Sequence, residues 1–208
     1  QTPRGGGLIV TRPLILASAS KSRANILRAA GVTFEPIPAD TDEESVKRSL
    51  KAEGASAAQC AEALAELKAV QVSRAYPNAF VIGADQMLEC EGAWFDKPAD
   101  LGGARGHLVA LRGKTHVLPT AVAVALDGAC IWHHVALPRL TMRGFSESFI
   151  DEYLRAAGAA VLTSVGAYQL EGLGAQLFSR IEGDFFTILG LPLLELMAFL
   201  REQEGMPQ

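Results

Sequence analysis

Asp85 closes the run Val81-Ile-Gly-Ala-Asp85, in which small residues allow close backbone approach just before an acidic side chain. The run predicts a buried strand over 79–84, with the carboxylate emerging where the strand stops, as α/β proteins commonly place their sites. An isolated carboxylate is a weak base. Asp85 could therefore draw a proton from water only where a divalent cation acidified that water; its other use would be to cap a turn. Lys97 follows across an expected hairpin at Glu91-Gly92, so the chain can return it beside Asp85 as a point charge for phosphate or leave it solvated on a loop. Lys68 directly follows Leu67 at the border of an apolar stripe, from which it either snorkels to water or points into a cleft. Oxygen ligands for a cation are offered by Glu35 and by Asp40, Asp42, Glu43 and Glu44, a cluster that could equally be a solvated loop.

A second group lies near the start. The apolar piece Leu14-Ile-Leu-Ala17 runs into Ser18-Ala-Ser-Lys-Ser-Arg23 and then into a helix. Backbone N–H groups and the positive end of the helix dipole would meet there, with Ser18, Ser20, Ser22, Lys21 and Arg23 as further donors, a combination suited to phosphate. A serine-capped helix with solvated cations is the plainer use of the same residues.

These side chains need elements to carry them. Helices are expected over 22–30, 57–76, 101–111 and 146–157, with a last one opened by Pro192 that turns Leu193, Leu196, Met197 and Leu200 to the core. In the 57–76 helix Ala57, Ala61, Leu64 and Leu67 recur at helical spacing. Residues 32–38 are extended, and a polar stretch without strong period follows the acidic cluster. Strands are expected at 87–90 and 93–95, then as a long pair over 115–126 and 129–140 joined at Asp127-Gly128, then as short pieces around Ala167, Leu177 and Phe186. The sum is one α/β unit with a mixed sheet.

Composition limits the function classes. The chain has 208 residues, 49% hydrophobic and 20% charged, enough for one sizeable domain or two small lobes sharing a cleft. A formal charge of −4 and 7% aromatic content do not suit a general nucleic-acid binder. Cys60, Cys90 and Cys130 are odd in number and far apart, which fits a reducing, cytoplasmic setting and no metal pair. His133 and His134 fall on opposite faces of any strand. No segment approaches a membrane span, and residues 1–7 are expected to be a disordered leader. GxxxxGK[ST], HExxH and CxxC patterns are absent from the sequence.

In order along the chain, LILASASKSR (14–23), Phe34-Glu35, ADTDEE (39–44), LAELKA (64–69), VIGAD (81–85), Lys97-Pro98, LRGKTHVLPT (111–120), GAYQLEG (166–172) and EGDFFTILGLPL (182–193) resemble the Maf family of nucleoside triphosphate pyrophosphatases. The resemblance covers about residues 14–200. It implies a two-lobed mixed α/β domain over 8–203 with flanking helices and a central cleft, similar in shape to the inosine triphosphate pyrophosphatases. It implies cleavage of a nucleoside triphosphate between its α and β phosphates, releasing pyrophosphate. Ser18, Ser20, Ser22, Arg23, Lys68 and Lys97 would handle the triphosphate. Asp85 would be the proton acceptor and, with Glu35, a ligand to a divalent cation such as magnesium, manganese or cobalt. A homodimer acting on non-standard nucleotides follows from the same resemblance; a nucleotide-binding regulator of cell division without turnover is the alternative.

Members acting on dTTP and UTP carry SPRR, GADT and IQG where this chain has Ser20-Lys-Ser-Arg23, Gly83-Ala-Asp-Gln86 and Leu170-Glu-Gly172. Gln86 and Glu171 look like the sister subfamily that prefers 7-methyl-GTP. A carboxylate at Glu171 can accept two hydrogen bonds from a guanine edge and would favour a positively charged methylated base. Ser22 is not the aromatic associated with that subfamily, and Val165 stands where a lysine is usual before GAY.

Overall fold

The computed structural model describes residues 12–204; the expected leader at 1–7 and the expected domain start at residue 8 lie outside the described residues. The chain opens with β1 (Leu14–Leu16), α1 (Lys21–Ala29), β2 (Glu35–Pro36), α2 (Glu43–Ala52), α3 (Ala57–Ser73) and β3 (Phe80–Gln86). Next come β4 (Leu88–Cys90), β5 (Ala93–Phe95), α4 (Leu101–Leu111), β6 (Thr115–Val117), β7 (Thr120–Leu126), β8 (Ala129–Ala136) and β9 (Arg139–Met142). It closes with α5 (Glu147–Ala157), three short 3-10 turns between Gly158 and Leu177, β10 (Phe178–Glu182), α6 (Phe185–Ile188) and α7 (Leu193–Glu204). The first six helices share one start signal. Ser20, Asp42, Ser56, Asp100, Ser146 and Asp184 each accept a backbone N–H from the first turn of the helix they precede, a contribution of about 1 kcal/mol apiece.

Two five-stranded sheets result, in the orders β2-β1-β3-β7-β8 and β10-β9-β6-β4-β5. In the first, β1 runs parallel to β2 and β3, while β7 and β8 are antiparallel. This is the expected mixed α/β class with flanking helices. The long strand pair of the sequence reading is divided between the sheets. Residues 115–117 and 139–142 belong to the second sheet, and 120–126 and 129–136 to the first. The breaks fall at Leu118-Pro119 and Leu137-Pro138, where proline supplies no ladder donor. The crossing points are tied together: Met87 N–H donates to Pro119 O at 2.8 Å and Leu118 N–H to Pro138 O at 2.9 Å.

Other expectations change too. Residues 43–52 form α2 rather than an irregular stretch. This helix buries no residue; its Val46 and Leu50, both half-buried, pack against the α3 core, and two apolar residues are too few to mark a helix in sequence. Ala167 sits in a 3-10 turn and Phe186 belongs to α6, so neither marks a strand; the strand expected around Leu177 is β10, which begins at Phe178 directly after a 3-10 turn. The extended segment at 32–38 contributes only the two residues of β2. On α3 the buried face rotates away from Leu67, which is 40% exposed, and takes in Lys68, which is 6% exposed. Among the described residues no helix is long and apolar enough to cross a membrane.

One face of the first sheet packs on α1 and α7 through Leu16, Leu27, Ile82, Leu196 and Leu200. The other face takes α3, whose Ala57, Ala61, Ala65 and Ala69 recur every four residues against Ala121, Ala123 and Ala125 of β7. That ridge of methyl groups brings helix and sheet unusually close. A Cβ on Gly83 would lie 2.1 Å from Ala65 O and 2.7 Å from Ala69 N.

Candidate active site

The α3–β3 contact sets the centre of the site. Lys68 lies on the turn of α3 that touches Gly83, and Asp85 is the penultimate residue of β3, paired with Ala121 and so inside the strand rather than beyond its end. Lys68 Nζ donates to Asp85 Oδ1 at 2.7 Å and lies 2.7 Å from Glu43 Oε1, on the first residue of α2. One ammonium thus bridges two carboxylates. Burial alone would raise Glu43 above the usual carboxylate range. The Lys68 hydrogen bond and charge, with Lys47 and Arg23 behind it, outweigh burial and hold Glu43 below that range. Asp85 Oδ2 is buried with no hydrogen-bond partner, so the carboxylate has one oxygen paired and one unpaired.

A cleft of about 1340 Å³ opens from this centre, and Ser18, Ser20, Ser22, Arg23, Lys68, Asp85, Gln86, Lys97 and Glu171 all line it. Ser18 Oγ accepts from Ser20 N–H at 3.2 Å and from an Arg23 terminal nitrogen at 3.1 Å. Ser20 caps α1. Burial pulls Arg23 below its ordinary value, opposed by the charges of Asp85 and Glu43; a guanidinium stays cationic across that range. Lys97 and Glu171 are exposed at the rim. Glu35 lies elsewhere. It is exposed on the edge strand β2, in register with Ile15, and outside the cleft lining. The carboxylate that joins Asp85 at Lys68 is Glu43.

The role of 187–190, inside the 182–193 run noted in the sequence, emerges only in three dimensions. Gln86 Nε2 donates to Thr187 O and Ile188 O, each at 3.1 Å, and to Thr120 Oγ1 at 2.9 Å. Ser22 Oγ donates to Leu189 O at 2.9 Å, and Arg23 Nε to Gly190 O at 2.8 Å. Four consecutive carbonyls thereby hold three cleft side chains from α1 and β3. Gly190 sits at φ 111°, a conformation that favours glycine. The available sequence signal was the Gly190-Leu-Pro192 punctuation after α6. The Gln86 amide N–H groups are committed to these acceptors, so they are not free to meet a base.

The facing wall is built from the 3-10 turns. Leu162, Val165, Tyr168 and Leu170 line it, with Leu118 and Ile188 beside them. Tyr168 hydroxyl is 2.8 Å from His116 Nε2, and Tyr153 hydroxyl donates to Ala167 O at 3.1 Å. Burial lowers His116 from 6.5 to about 4, so the ring is neutral at physiological pH. Burial likewise pushes Tyr153 up to about 12.

Among the described residues no group of three or more His, Cys, Asp or Glu is placed to hold a metal. The unpaired Asp85 Oδ2 and the neighbouring Glu43 nonetheless fit a hard divalent cation, because magnesium takes one or two protein carboxylates and completes its shell with phosphate oxygens and water.

A two-sheet α/β frame whose cleft presents bridged carboxylates among Lys and Arg side chains defines a protein that handles a polyanion. The chain belongs to the Maf family: the family description "Maf-like protein" matches residues 13–203. It is 62% identical over 188 residues, 90% of this chain and 97% of the relative, to a nucleoside triphosphate pyrophosphatase of Paramagnetospirillum magneticum. It is 56% identical over 193 residues, 93% of this chain and 98% of the relative, to a protein of the same name from Granulibacter bethesdensis. A 7-methyl-GTP pyrophosphatase of Mesorhizobium japonicum is 48% identical over 192 residues, covering 92% of this chain and 96% of its own length.

Proposed function

We propose that this protein is a nucleoside triphosphate pyrophosphatase, converting a nucleoside triphosphate and water to the monophosphate, pyrophosphate and a proton. The observation that carries the reading is the half-occupied Asp85 carboxylate at the base of a cation-lined cleft. Its closest support outside the site is the set of relatives that share more than half of their residues with this chain and bear that name. Lys68 engages Asp85 Oδ1 and leaves Oδ2 unpaired, so this cleft-lining carboxylate can take the proton of the attacking water. The water oxygen bonds to the α-phosphorus, the bond from that phosphorus to the α–β bridging oxygen breaks, and its electron pair leaves with pyrophosphate. Arg23, Lys68 and Lys97 meet the charge on the phosphates, so catalysis is mostly positioning and electrostatics.

Asp85 and Glu43 are the residues that would hold a divalent cation, in place of the pairing of Asp85 with Glu35. A magnesium or manganese ion, with cobalt as a substitute, would polarise phosphoryl oxygens and acidify nearby water. In this reading Glu171 is the base reader, with a preference for 7-methyl-GTP supported by the Mesorhizobium relative's name. Gln86 acts on the base wall through the 187–190 segment. Three free thiols, Cys60, Cys90 and Cys130, suit action in the cytoplasm, and the homodimer implied by the resemblance completes the proposal.

Pyrophosphate release from 7-methyl-GTP, GTP, dTTP, UTP and CTP, with magnesium or manganese and with chelator, tests it. Metal-dependent release from at least one triphosphate is the expected result. Silence from folded, metal-loaded protein across the panel overturns the reaction, and release favouring dTTP and UTP overturns the base assignment alone.

A further inference from the structure

The cleft holds more positive charge than its centre uses. Asp85 and Glu43 offset two of the three cations Arg23, Lys68 and Lys97, leaving little net charge for a multiply anionic phosphate tail. Yet seven Lys and Arg against five Asp and Glu line the cleft, in a chain of formal charge −4. Three of those seven cations stand on α2, which also brings Glu43 and Glu44 to the lining. Lys47, Arg48 and Lys51 all line the cleft from that helix; Lys47 and Lys51 stand at i and i+4 on one face, about 6 Å apart along the axis, with Arg48 beside them about 100° round the helix from Lys47. That axial spacing matches the length of a diphosphate.

Two of these side chains are held in place. Lys47 Nζ donates to Asp96 Oδ1 at 2.7 Å, and the Asp96 bond and charge, with those of Asp85 and Glu43, outweigh burial and raise Lys47 above its ordinary value. The Lys51 ammonium stands 5.1 Å from the Trp94 ring centroid, a cation–π contact that limits its wandering. A helix that buries no residue contributes little to the core. What α2 does contribute is the position of these charges and of Glu43.

We infer that the Lys47–Arg48–Lys51 cluster of α2 is a diphosphate subsite, receiving the β- and γ-phosphates of the substrate and then the departing pyrophosphate. The inference rests on the pyrophosphatase reading above. As the α–β bond breaks, its electron pair goes to the bridging oxygen of pyrophosphate, and cations aimed at that fragment stabilise it. Asp96 holds Lys47 until the tail competes for it.

Calorimetric titration tests this without turnover. The ligands are a nucleoside monophosphate, its diphosphate, the α,β-methylene triphosphate of the same base, and inorganic pyrophosphate. The proteins are the wild type and the double variant Arg48→Ala with Lys51→Ala, both of whose side chains are exposed, so the fold is retained. The expected result is a loss of about ten-fold in affinity for pyrophosphate and for the triphosphate analogue, with the monophosphate moving less than about two-fold. An equal loss for the monophosphate would reduce α2 to a general field and overturn the subsite, as would undiminished pyrophosphate binding. A wild type that binds the analogue with this tail dependence but releases no pyrophosphate from any triphosphate keeps the subsite and loses the reaction.

Discussion

Where α3 crosses β3, backbone meets backbone at Gly83, and Lys68 and Asp85 hang from that contact with no room for adjustment. Across the cleft, the 158–177 wall is made of short turns held by side chains: Tyr168 to His116, Tyr153 to Ala167 O, Gln169 to Thr163. One of its tight positions follows the same contrast, while another, Gly174, would bring a Cβ to 2.4 Å from the Gln169 carbonyl oxygen. A Cβ on Gly166 would meet the Leu88 and Tyr168 side chains, at 2.6 and 2.7 Å, where one on Gly83 would meet main chain. Side chains can yield and main chain in a packed helix cannot. One wall is thus built to keep charges where they are, and the other can be reshaped by a few substitutions. A family that holds one reaction while varying its base needs that division.

The largest effect should come from the first wall. Asp85→Asn keeps the Lys68 contact geometry but removes the proton acceptor, and should lower kcat by about 10³-fold, near 4 kcal/mol, with Tm little changed. Turnover within ten-fold of wild type would strip Asp85 of its role. Gly83→Ala comes next. With Ala65 O at 2.1 Å from the new methyl, α3 must lift from the sheet, at a cost of about 3 kcal/mol in urea unfolding and with loss of the Lys68–Asp85 bond. A smaller cost than Gly166→Ala, after allowing for the latter's positive φ of 77°, would erase the contrast between the walls.

His116 probes the second wall by pH. Its folded value near 4 lies below the ordinary 6.5, so the unfolded chain takes up the proton first as pH falls. The stability tied to the neutral ring is full above 6.5 and lost between 6.5 and 4, a span worth about 3 kcal/mol. In His116→Gln the decline between pH 7 and pH 4.5 should be shallower by about 2 kcal/mol; an unchanged slope would show that the ring titrates normally. Glu171→Gln is the mildest change. It should alter the 7-methyl-GTP to UTP preference by about ten-fold through KM, leaving kcat on the better substrate within about two-fold.

What the sequence made legible follows the same line. Gly83, Asp85 and Lys68 were visible because their constraint is local: a small residue in an apolar strand, an acid at its end, a lysine beside a helical stripe. Glu43 was seen only as one acid among several, since nothing in a run of acids tells which will reach Lys68 once α2 has formed. Glu35 drew notice for the same reason and stands on an edge strand instead. The carbonyls of 187–190 were illegible in principle, because a backbone acceptor has no letter of its own and its donors lie about a hundred residues or more away in sequence. The division of the long strand pair was marked by Pro119 and Pro138, but a proline does not say that the chain changes sheets there.

Those crossings have a consequence for how such a molecule can arise. The first sheet draws on strands from residue 14 to 136 and the second on strands from 88 to 182, so no single cut yields two pieces that each own a complete sheet. The two sheets could not have arisen as separate gene products simply joined end to end, because their strands interleave along the chain. A nick in a loop between β4 and β8 divides both sheets and should leave fragments that regain structure only when mixed.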